Sequence, residues 1–219
     1  MDKIMKDKKV IILDFDGTLY SSPVVFDKLP NFITRHRREF LPRLSDEQYK
    51  KVLKENPEWG KLVAATEIAE YMYMFKKKYP EMQILLKDFY DWQNAHPDPL
   101  VLDGITTTSP EFLKRLCERF PTYIVSNSPY NHIELYMKKF GIKPEWFKKI
   151  VSNRFVYHDR TKKHYYEAIL AKENCLPQNV YVFGDSVKND LEPAQKLGMN
   201  ICFVNEADKL ENAVLMTIK

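Results

Sequence analysis

An uninterrupted apolar run near the amino terminus, Val10–Leu13, is followed directly by Asp14 and then Asp16. A short apolar run rich in β-branched side chains is typical of a strand that is buried on both faces of a parallel sheet. Ligands of open α/β sheets bind beyond the carboxyl ends of the strands. Because Asp14 and Asp16 lie two residues apart, extended backbone would turn both carboxylates to one side. We therefore expect a parallel sheet with an acidic site at the end of this first strand.

The next residues favour chemistry at this strand end. Gly17 lets the chain turn sharply, and Thr18 offers a hydroxyl, which makes it a candidate for substrate binding. One carboxylate can attack while its neighbour transfers protons, and covalent phosphoryl transfer requires this division of labour. The alternative is a pair of acids that cap the next element, because Asp is common in turns.

Two later apolar runs also end in polar side chains. One is followed by Ser126 and Asn127, where a hydroxyl and nearby backbone N–H groups could donate to a phosphate oxygen. An ordinary turn is the alternative there. The other is followed by Asp185 and, further on, Asp190. Hard oxygen ligands on a short loop suit Mg²⁺, although an acid at Asp190 would also suit a helix amino terminus.

Apolar runs and helical periodicity alternate through the second half of the chain. Besides the first strand, strands are predicted at 122–126, 150–151, 180–183 and 201–204. Helices are predicted at 110–120, 131–140, 162–174, 191–197 and 208–216. Strands that alternate with helices of this length indicate an α/β fold with a doubly wound parallel sheet.

The segment between the first strand and this region follows a different pattern. Apolar side chains recur at helical spacing over 58–79 and 81–96. No part of the segment is typical of a strand, and prolines break the pattern at either end. We therefore predict a helical domain, 21–97, inserted into a core domain formed by 1–20 and 98–219.

Together, the three polar strand ends resemble a known set of motifs. The string Asp14–Leu19, the strand ending at Ser126 and the loop Gly184–Asp190 are similar to the first, second and fourth motifs of the haloacid dehalogenase (HAD) superfamily. The inserted helical block resembles the C1-type cap of that superfamily in its position. The resemblance implies a Rossmann-like core and a Mg²⁺-dependent phosphatase that acts through an aspartyl phosphate.

The third motif of the superfamily is a lysine on a helix between the other motifs, and this chain offers three basic residues there. Counting back from Asp185 by the spacing of relatives without a Lys-Pro pair selects Lys162. Counting by the Lys-Pro spacing selects Arg160 instead. We prefer Lys162, with Lys163 as the second choice, and expect at least one of the two lysines to be an ordinary solvated side chain.

The resemblance implies a role for each motif residue. Asp14 would attack phosphorus, and Asp16 would protonate the leaving oxygen and then take a proton from water. The metal candidates are the carboxylates of Asp14 and Asp185, the backbone carbonyl of Asp16, and Asp190 as an outer or occasional inner ligand. The candidates for holding the phosphoryl group are Ser126 and Lys162, and further candidates for substrate binding are Thr18, Asn127 and Lys163.

The implied partner is a small phosphorylated metabolite, such as a nucleotide or a sugar phosphate, because a helical lid leaves little room for a macromolecule. Candidate cap contacts are Arg35, His36, Arg37, Trp59 and Tyr71, with surface charge or cap core as the alternative for each. The net charge of +4 is spread out and does not favour nucleic acid. No stretch approaches the roughly 20 apolar residues of a membrane span. Three isolated cysteines and the lack of a secretory signal indicate a cytoplasmic protein.

Three other functions compete with a phosphatase. A phosphomutase would use the same residues and return the phosphoryl group to the substrate. A dehalogenase is disfavoured because that branch usually lacks the second acid of the first motif, and Asp16 is present. A non-catalytic binding protein on this fold would tend to lose the nucleophile or the metal acids, whereas Asp14, Asp16 and Asp185 are all present.

Overall fold

The computed structural model of the chain describes residues 8–21, 36–61, 65–95, 105–128, 130–152, 162–204 and 210–218. Contacts divide the chain into two compact units, one formed by Met1–Ser22 with Gly104–Lys219 and the other by Pro23–Asp103. Both junctions between the units, 22–35 and 96–104, lie outside the described residues. The bounds of 21–97 for an inserted domain therefore stay a prediction.

A parallel sheet forms the centre of the first unit. The strands described in this unit are β1 (Val10–Leu13), β2 (Tyr20–Ser21), β3 (Ile105–Thr106), β4 (Thr122–Ser126), β5 (Lys149–Ser152), β6 (Val180–Gly184) and β7 (Asn200–Phe203). Five of them form one sheet in the order β5-β4-β1-β6-β7, and each pairing in it is parallel. The predicted doubly wound parallel sheet is confirmed. Because β1 lies at its centre, the residues after β1 emerge between the ends of β4 and β6.

Helices alternate with the strands through the second half of the chain, as predicted, and helices without intervening strands occupy the described part of the segment between β2 and β3. The described helices are α1 (Asp46–Glu55), α2 (Ala65–Lys78), α3 (Leu86–Ala95), α4 (Pro110–Arg119), α5 (Tyr130–Phe140), α6 (Lys163–Glu173), α7 (Glu192–Lys196) and α8 (Leu210–Thr217). The start of α4 has a clear local cause, since the Ser109 hydroxyl accepts a hydrogen bond from the Phe112 N–H at 3.2 Å. None of these helices is long and apolar enough to cross a membrane.

The core that supports the sheet lies between the strands and α6. Side chains of β1, β4 and β6 that point to one face, among them Ile12 and Val182, pack with Tyr166 and Ile169 of α6. All four are almost fully buried, and burial of apolar side chains is worth about 1.5–3 kcal/mol each. The strand ends therefore rest on a rigid layer, which fixes the positions of the polar residues that follow them.

A second, two-stranded sheet was not predicted from the sequence. No strand was predicted between β1 and residue 122, but Tyr20–Ser21 pairs antiparallel with Ile105–Thr106. The buried Tyr136 hydroxyl donates to the Leu19 carbonyl at 2.5 Å and lies 2.8 Å from the Thr106 hydroxyl. The Tyr136 ring also packs edge-on against Phe15, with ring centroids 5.0 Å apart. Helix α5 therefore fixes both strands beside the Asp14–Leu19 turn.

The described part of the second unit is helical, as predicted, but both predicted helices begin later than expected. Residues Pro57–Lys61 form a 3₁₀ turn, and α2 begins at Ala65 and not at residue 58. Helix α3 begins at Leu86, and not at residue 81 as the periodicity suggested. In the preceding segment Met82, Ile84 and Leu86 are buried and the residues between them are exposed. Burial of every second side chain is typical of extended backbone, so this segment was misassigned by counting its apolar residues as helical.

Candidate active site

The carboxyl edge of the parallel sheet holds a cleft built from three strand ends and the start of α6. Its lining residues are Asp14, Asp16, Asn127, Lys162, Asp185, Ser186, Asn189 and Asp190. Six of these residues were singled out from the sequence. Three other sequence candidates, Thr18, Ser126 and Lys163, do not line this cleft.

Asp14 is fixed at the end of the central strand. Its N–H donates to the Phe183 carbonyl at 2.9 Å, which extends the β1–β6 pairing by one residue. Its side chain is buried, and its Oδ1 lies 2.5 Å from the Lys162 Nζ. Burial raises the pKa of Asp14 well above its usual value, and repulsion from Asp190 and Asp16 adds to the rise, while Lys162 opposes it. The site thus holds more negative charge than one lysine offsets.

The turn after Asp14 depends on Gly17. Its φ is +72°, and a Cβ at this position would lie 2.1 Å from Oδ2 of Asp185. Both the left-handed conformation and the close approach of the carboxylate require glycine here. Asp16, one residue earlier, has an exposed side chain at the cleft, so its carboxylate is open to an incoming substrate.

The second acidic loop is held by its own hydrogen bonds. After β6 the chain forms a π-helical turn, Val187–Leu191, and such turns are frequent at functional sites. The Ser186 N–H donates to Oδ2 of Asp190 at 3.0 Å. Asp190 is only 1% exposed, and a Cβ on Gly184 would lie 2.7 Å from the Asp190 side chain. The glycine is therefore required by the buried acid, in addition to any role at the strand end.

Of the basic candidates, the structure brings Lys162 into the cleft. Lys162 directly precedes α6, is 2% exposed, and its Nζ contacts Asp14 at 2.5 Å and Oδ1 of Asp190 at 2.6 Å. Burial alone would lower the pKa of Lys162, but the two acids raise it above its usual value. Lys163 is exposed and pairs with Glu167 at 3.3 Å on its own helix. Arg160 lies outside the described residues.

Three acids are close enough to share one cation. Single carboxylate oxygens of Asp14, Asp185 and Asp190 lie within 4.8 Å of one another. Burial and the charge of Asp190 raise the pKa of Asp185 to about 6. Hard oxygen donors that repel one another in a confined site suit Mg²⁺. The carboxylate of Asp16 is not part of this group, and the sequence resemblance assigned its backbone carbonyl, not its side chain, to the metal.

The hydroxyl candidates occupy buried positions beside the cleft. Ser126 is buried at the end of β4, and its Oγ accepts a hydrogen bond from the Ser128 N–H at 2.9 Å. Thr18 is also buried, and its Oγ1 has no hydrogen-bond partner among the described residues. Its backbone carbonyl accepts a hydrogen bond from the Thr107 hydroxyl, so Thr18 contributes to the support of the turn.

Three polar residues at the cleft were given no role from the sequence. Ser186 and Asn189 line the cleft, and the Asn189 N–H donates to the Ser186 hydroxyl at 3.2 Å. Both lie inside the motif Gly184–Asp190, so the motif could have indicated them. Ser128 donates a hydrogen bond to the Asp16 carboxylate. The sequence pattern does not indicate a role for Ser128, because this residue lies two positions beyond the strand that ends at Ser126.

The cap candidates have partners within their own unit. Trp59 is fully buried and packs edge-on against Phe75 at 5.2 Å, so it forms part of the core of that unit. His36 Nδ1 lies 2.9 Å from a Glu39 carboxylate oxygen. The structure also places Arg37, which is buried and donates to the Gly60 carbonyl, and Tyr71, whose ring packs against Phe75 at 5.8 Å. Arg35 lies outside the described residues.

The family of the chain follows from a comparison with protein-family models. The model of haloacid dehalogenase-like hydrolases matches residues 8–198. The match spans most of the chain and includes all four motif regions. The chain therefore belongs to the haloacid dehalogenase-like hydrolases, as its motifs predicted, and it is an enzyme of the hydrolase class.

Solved structures share the fold at low sequence identity. A predicted phosphoglycolate phosphatase from Haemophilus somnus is 18% identical with a TM-score of 0.55, and the match covers 95% of this chain and 92% of that chain. A HAD hydrolase from Bacillus subtilis, bound to magnesium, is 18% identical with a TM-score of 0.54 and coverages of 98% and 100%. A HAD family enzyme from Bacteroides thetaiotaomicron, an alanine variant in complex with magnesium and inorganic phosphate, is 15% identical with a TM-score of 0.51 and coverages of 92% and 96%. No curated protein matches the chain significantly.

Proposed function

We propose that this hydrolase is a Mg²⁺-dependent phosphatase that acts on a small phosphomonoester through an aspartyl phosphate on Asp14. One observation carries the proposal. A buried carboxylate at the end of the central strand contacts a buried lysine at 2.5 Å, while a second carboxylate two residues later is exposed at the same cleft. This arrangement supplies a fixed nucleophile and a proton carrier that is open to the substrate, both in one short segment.

In the first half of the reaction, a carboxylate oxygen of Asp14 attacks phosphorus. The bond between phosphorus and the ester oxygen breaks, and Asp16 gives its proton to that leaving oxygen. The product alcohol departs, and the phosphoryl group stays on Asp14 as an acyl phosphate. Asp16 is now an ionised carboxylate.

In the second half, water replaces the alcohol. Asp16 takes a proton from the water while the water oxygen attacks phosphorus, and the bond between phosphorus and Asp14 breaks. Inorganic phosphate leaves, and both acids return to their starting forms. Release of free phosphate distinguishes this cycle from that of a phosphomutase.

The remaining residues of the cleft would bind the phosphoryl group and the metal ion. Lys162 lies against the nucleophile and would bind a phosphoryl oxygen, together with Asn127, which also lines the cleft. The Ser126 hydroxyl, buried beside the cleft at the end of β4, would complete this phosphoryl site. Asp14, Asp185 and Asp190, with the Asp16 carbonyl, would hold Mg²⁺, which when bound neutralises the charge of the phosphoryl group. The neighbours that bind magnesium, and magnesium with inorganic phosphate, support this assignment.

Removal of divalent metal should abolish the activity. With several acids around an anionic substrate, one buried lysine cannot offset the repulsion, so excess chelator should stop phosphate release and added Mg²⁺ should restore it. The measurement is phosphate release from a panel of phosphorylated metabolites, with thermal unfolding as the control for an intact fold. Full turnover in chelator by the folded protein would contradict the proposal.

Asp16→Asn should separate substrates by their leaving groups. The amide cannot protonate an alkoxide, so phosphoryl transfer from an alkyl phosphate should slow by about 10²–10⁴-fold. Nitrophenolate leaves without being protonated, so phosphoryl transfer from nitrophenyl phosphate to Asp14 should slow less. Hydrolysis of the phosphoenzyme still needs a base to take a proton from water, and the variant lacks it. The variant should therefore release a burst of nitrophenol and then stall as a phosphoenzyme.

Rapid mixing measures this burst, which is compared with phosphorus label trapped on the protein. Equal slowing for alkyl and aryl esters, with no burst and no label, would show that Asp16 is not the acid and base.

A further inference from the structure

The hydroxyl next to Asp16 has no place in the reaction described above. We infer that Ser128 is a positioning residue, which orients the Asp16 carboxylate for proton transfer through a direct hydrogen bond. The inference rests on the proposed function, because it assigns a supporting group to the proposed acid and base.

Two hydrogen bonds define the geometry. The Ser128 Oγ donates to Oδ2 of Asp16, a residue far away in the sequence, and the Ser128 N–H donates to the Ser126 Oγ at 2.9 Å. Ser126 is buried at the end of β4. The orienting hydroxyl is thus tied by its own backbone to a rigid strand.

The contact matters because Ser128 provides the side-chain hydrogen bond that orients the Asp16 carboxylate. The Asp16 side chain is exposed, and among the described residues no other side chain donates a hydrogen bond to its carboxylate. An exposed carboxylate samples several rotamers, and only some of them point an oxygen into the cleft. A single donor on a fixed turn removes much of this freedom before the substrate arrives.

A hydroxyl donor is compatible with both protonation states of Asp16. It can donate to an oxygen of the ionised carboxylate or to the carbonyl oxygen of the protonated acid. In the acid form, a bond to Oδ2 leaves the proton on Oδ1. Ser128 can therefore keep the same contact while Asp16 gives up its proton in one half-reaction and regains one in the other.

The Ser128 side chain makes no described contact with Asp14, Lys162 or the metal-site acids. Its contact with Ser126 comes from the backbone N–H, which substitution of the side chain keeps. We therefore expect loss of the Ser128 hydroxyl to affect the steps in which Asp16 moves a proton, and to leave the nucleophile and the phosphoryl site unchanged. This separation distinguishes a positioning residue from one that binds the phosphate.

The test compares variants in the first turnover. Ser128→Ala should slow phosphoryl transfer from an alkyl phosphate by about tenfold, the effect of losing one hydrogen bond to a charged group. Transfer from nitrophenyl phosphate should change by less than about threefold, and KM should not change. Ser128→Thr keeps the hydroxyl and should restore the alkyl rate, whereas Ser128→Cys keeps the size, weakens the donor and should behave like Ser128→Ala.

Two controls sharpen the comparison. Ser152→Ala removes a serine from the end of β5, the neighbouring strand, and should leave both rates unchanged. In the Asp16→Asn background, adding Ser128→Ala should change the alkyl rate by less than about twofold, because the group that Ser128 orients can no longer transfer a proton.

Failure of this inference and failure of the proposed function give different results. If Asp16→Asn shows its leaving-group effect but Ser128→Ala slows both esters equally, raises KM alone or has no effect, the positioning role is wrong. The role is also wrong if Ser128→Ala slows the Asp16→Asn enzyme as much as the wild type. If Asp16→Asn shows no leaving-group effect, or the wild type releases no phosphate, the proposed function fails and the inference fails with it.

Discussion

Asp14→Asn should lower phosphate release by about 10⁴-fold or more, which is the scale of effect seen when a covalent nucleophile is removed. The amide keeps the shape of the side chain but carries no charge to attack phosphorus. Asp14 is buried with a raised pKa, so its ionised form is costly to the fold, and the neutral amide should not destabilise the protein strongly.

The experiment is steady-state phosphate release combined with thermal unfolding of the same sample. Mass spectrometry must show that the amide has not reverted to the acid, since a trace of wild type would hide a large loss. Asp46→Asn is a matched control, because Asp46 is exposed in the first turn of α1. A folded Asp14→Asn protein with substantial activity of its own would rule Asp14 out as the nucleophile.

Lys162→Met should have the second largest effect, a loss of about 10²–10³-fold in kcat/KM. The buried Nζ contacts Asp14 and Asp190 at 2.5 and 2.6 Å, and methionine has a similar length without the charge. The substitution would leave two buried acids without their cation, so we also expect a loss of about 3–5 kcal/mol in the free energy of unfolding. Bound Mg²⁺ should reduce this destabilisation.

Lys163→Met is the matched control, one residue away. Its lysine is exposed and pairs with Glu167 within one helix, an interaction worth about 0.3–0.5 kcal/mol. We expect nearly wild-type activity and stability from this variant. The reverse ranking of the two lysines would move the role to Lys163, and two mild effects would point to Arg160.

Which of these two lysines faces the sheet is difficult to predict from the sequence. Adjacent residues at the start of a helix point in directions about 100° apart, so one of them faces the sheet and the other faces solvent. Which one does so depends on where α6 begins and how it packs. The spacing to Asp185 favoured Lys162, which the structure brings into the cleft, but the Lys-Pro spacing selected Arg160, so spacing alone did not decide between the basic residues. The three central strands β1, β4 and β6 were predictable because each is a short apolar run that the structure buries. The outer strands β5 and β7 are partly exposed, and their apolar runs are shorter or interrupted.

Other features were missed for similar reasons. The strands Tyr20–Ser21 and Ile105–Thr106 are two residues long, too short to show any periodicity. Next to them lies the Tyr136 hydroxyl, which is distant in sequence from both strands and contacts the Leu19 carbonyl and the Thr106 hydroxyl. The Ser128 contact to Asp16 has the same character, because a hydroxyl that meets a remote side chain leaves no local pattern. Long-range polar contacts are the part of the site that only the fold reveals.

The pairing of those two short strands affects how the stability of the core depends on the length of the inserted segment. Tyr20 faces Thr106 and Ser21 faces Ile105 in one antiparallel ladder, so this ladder brings together the two ends of the chain that flank residues 22–104. The entropy of closing such a loop rises only with the logarithm of its length, by about 0.6 kcal/mol for each doubling. Replacement of the insertion by a longer or shorter one should therefore cost the sheet little, provided that its ends still meet at this ladder. The strand that carries Asp14 can thus keep its geometry while the length of the insertion changes.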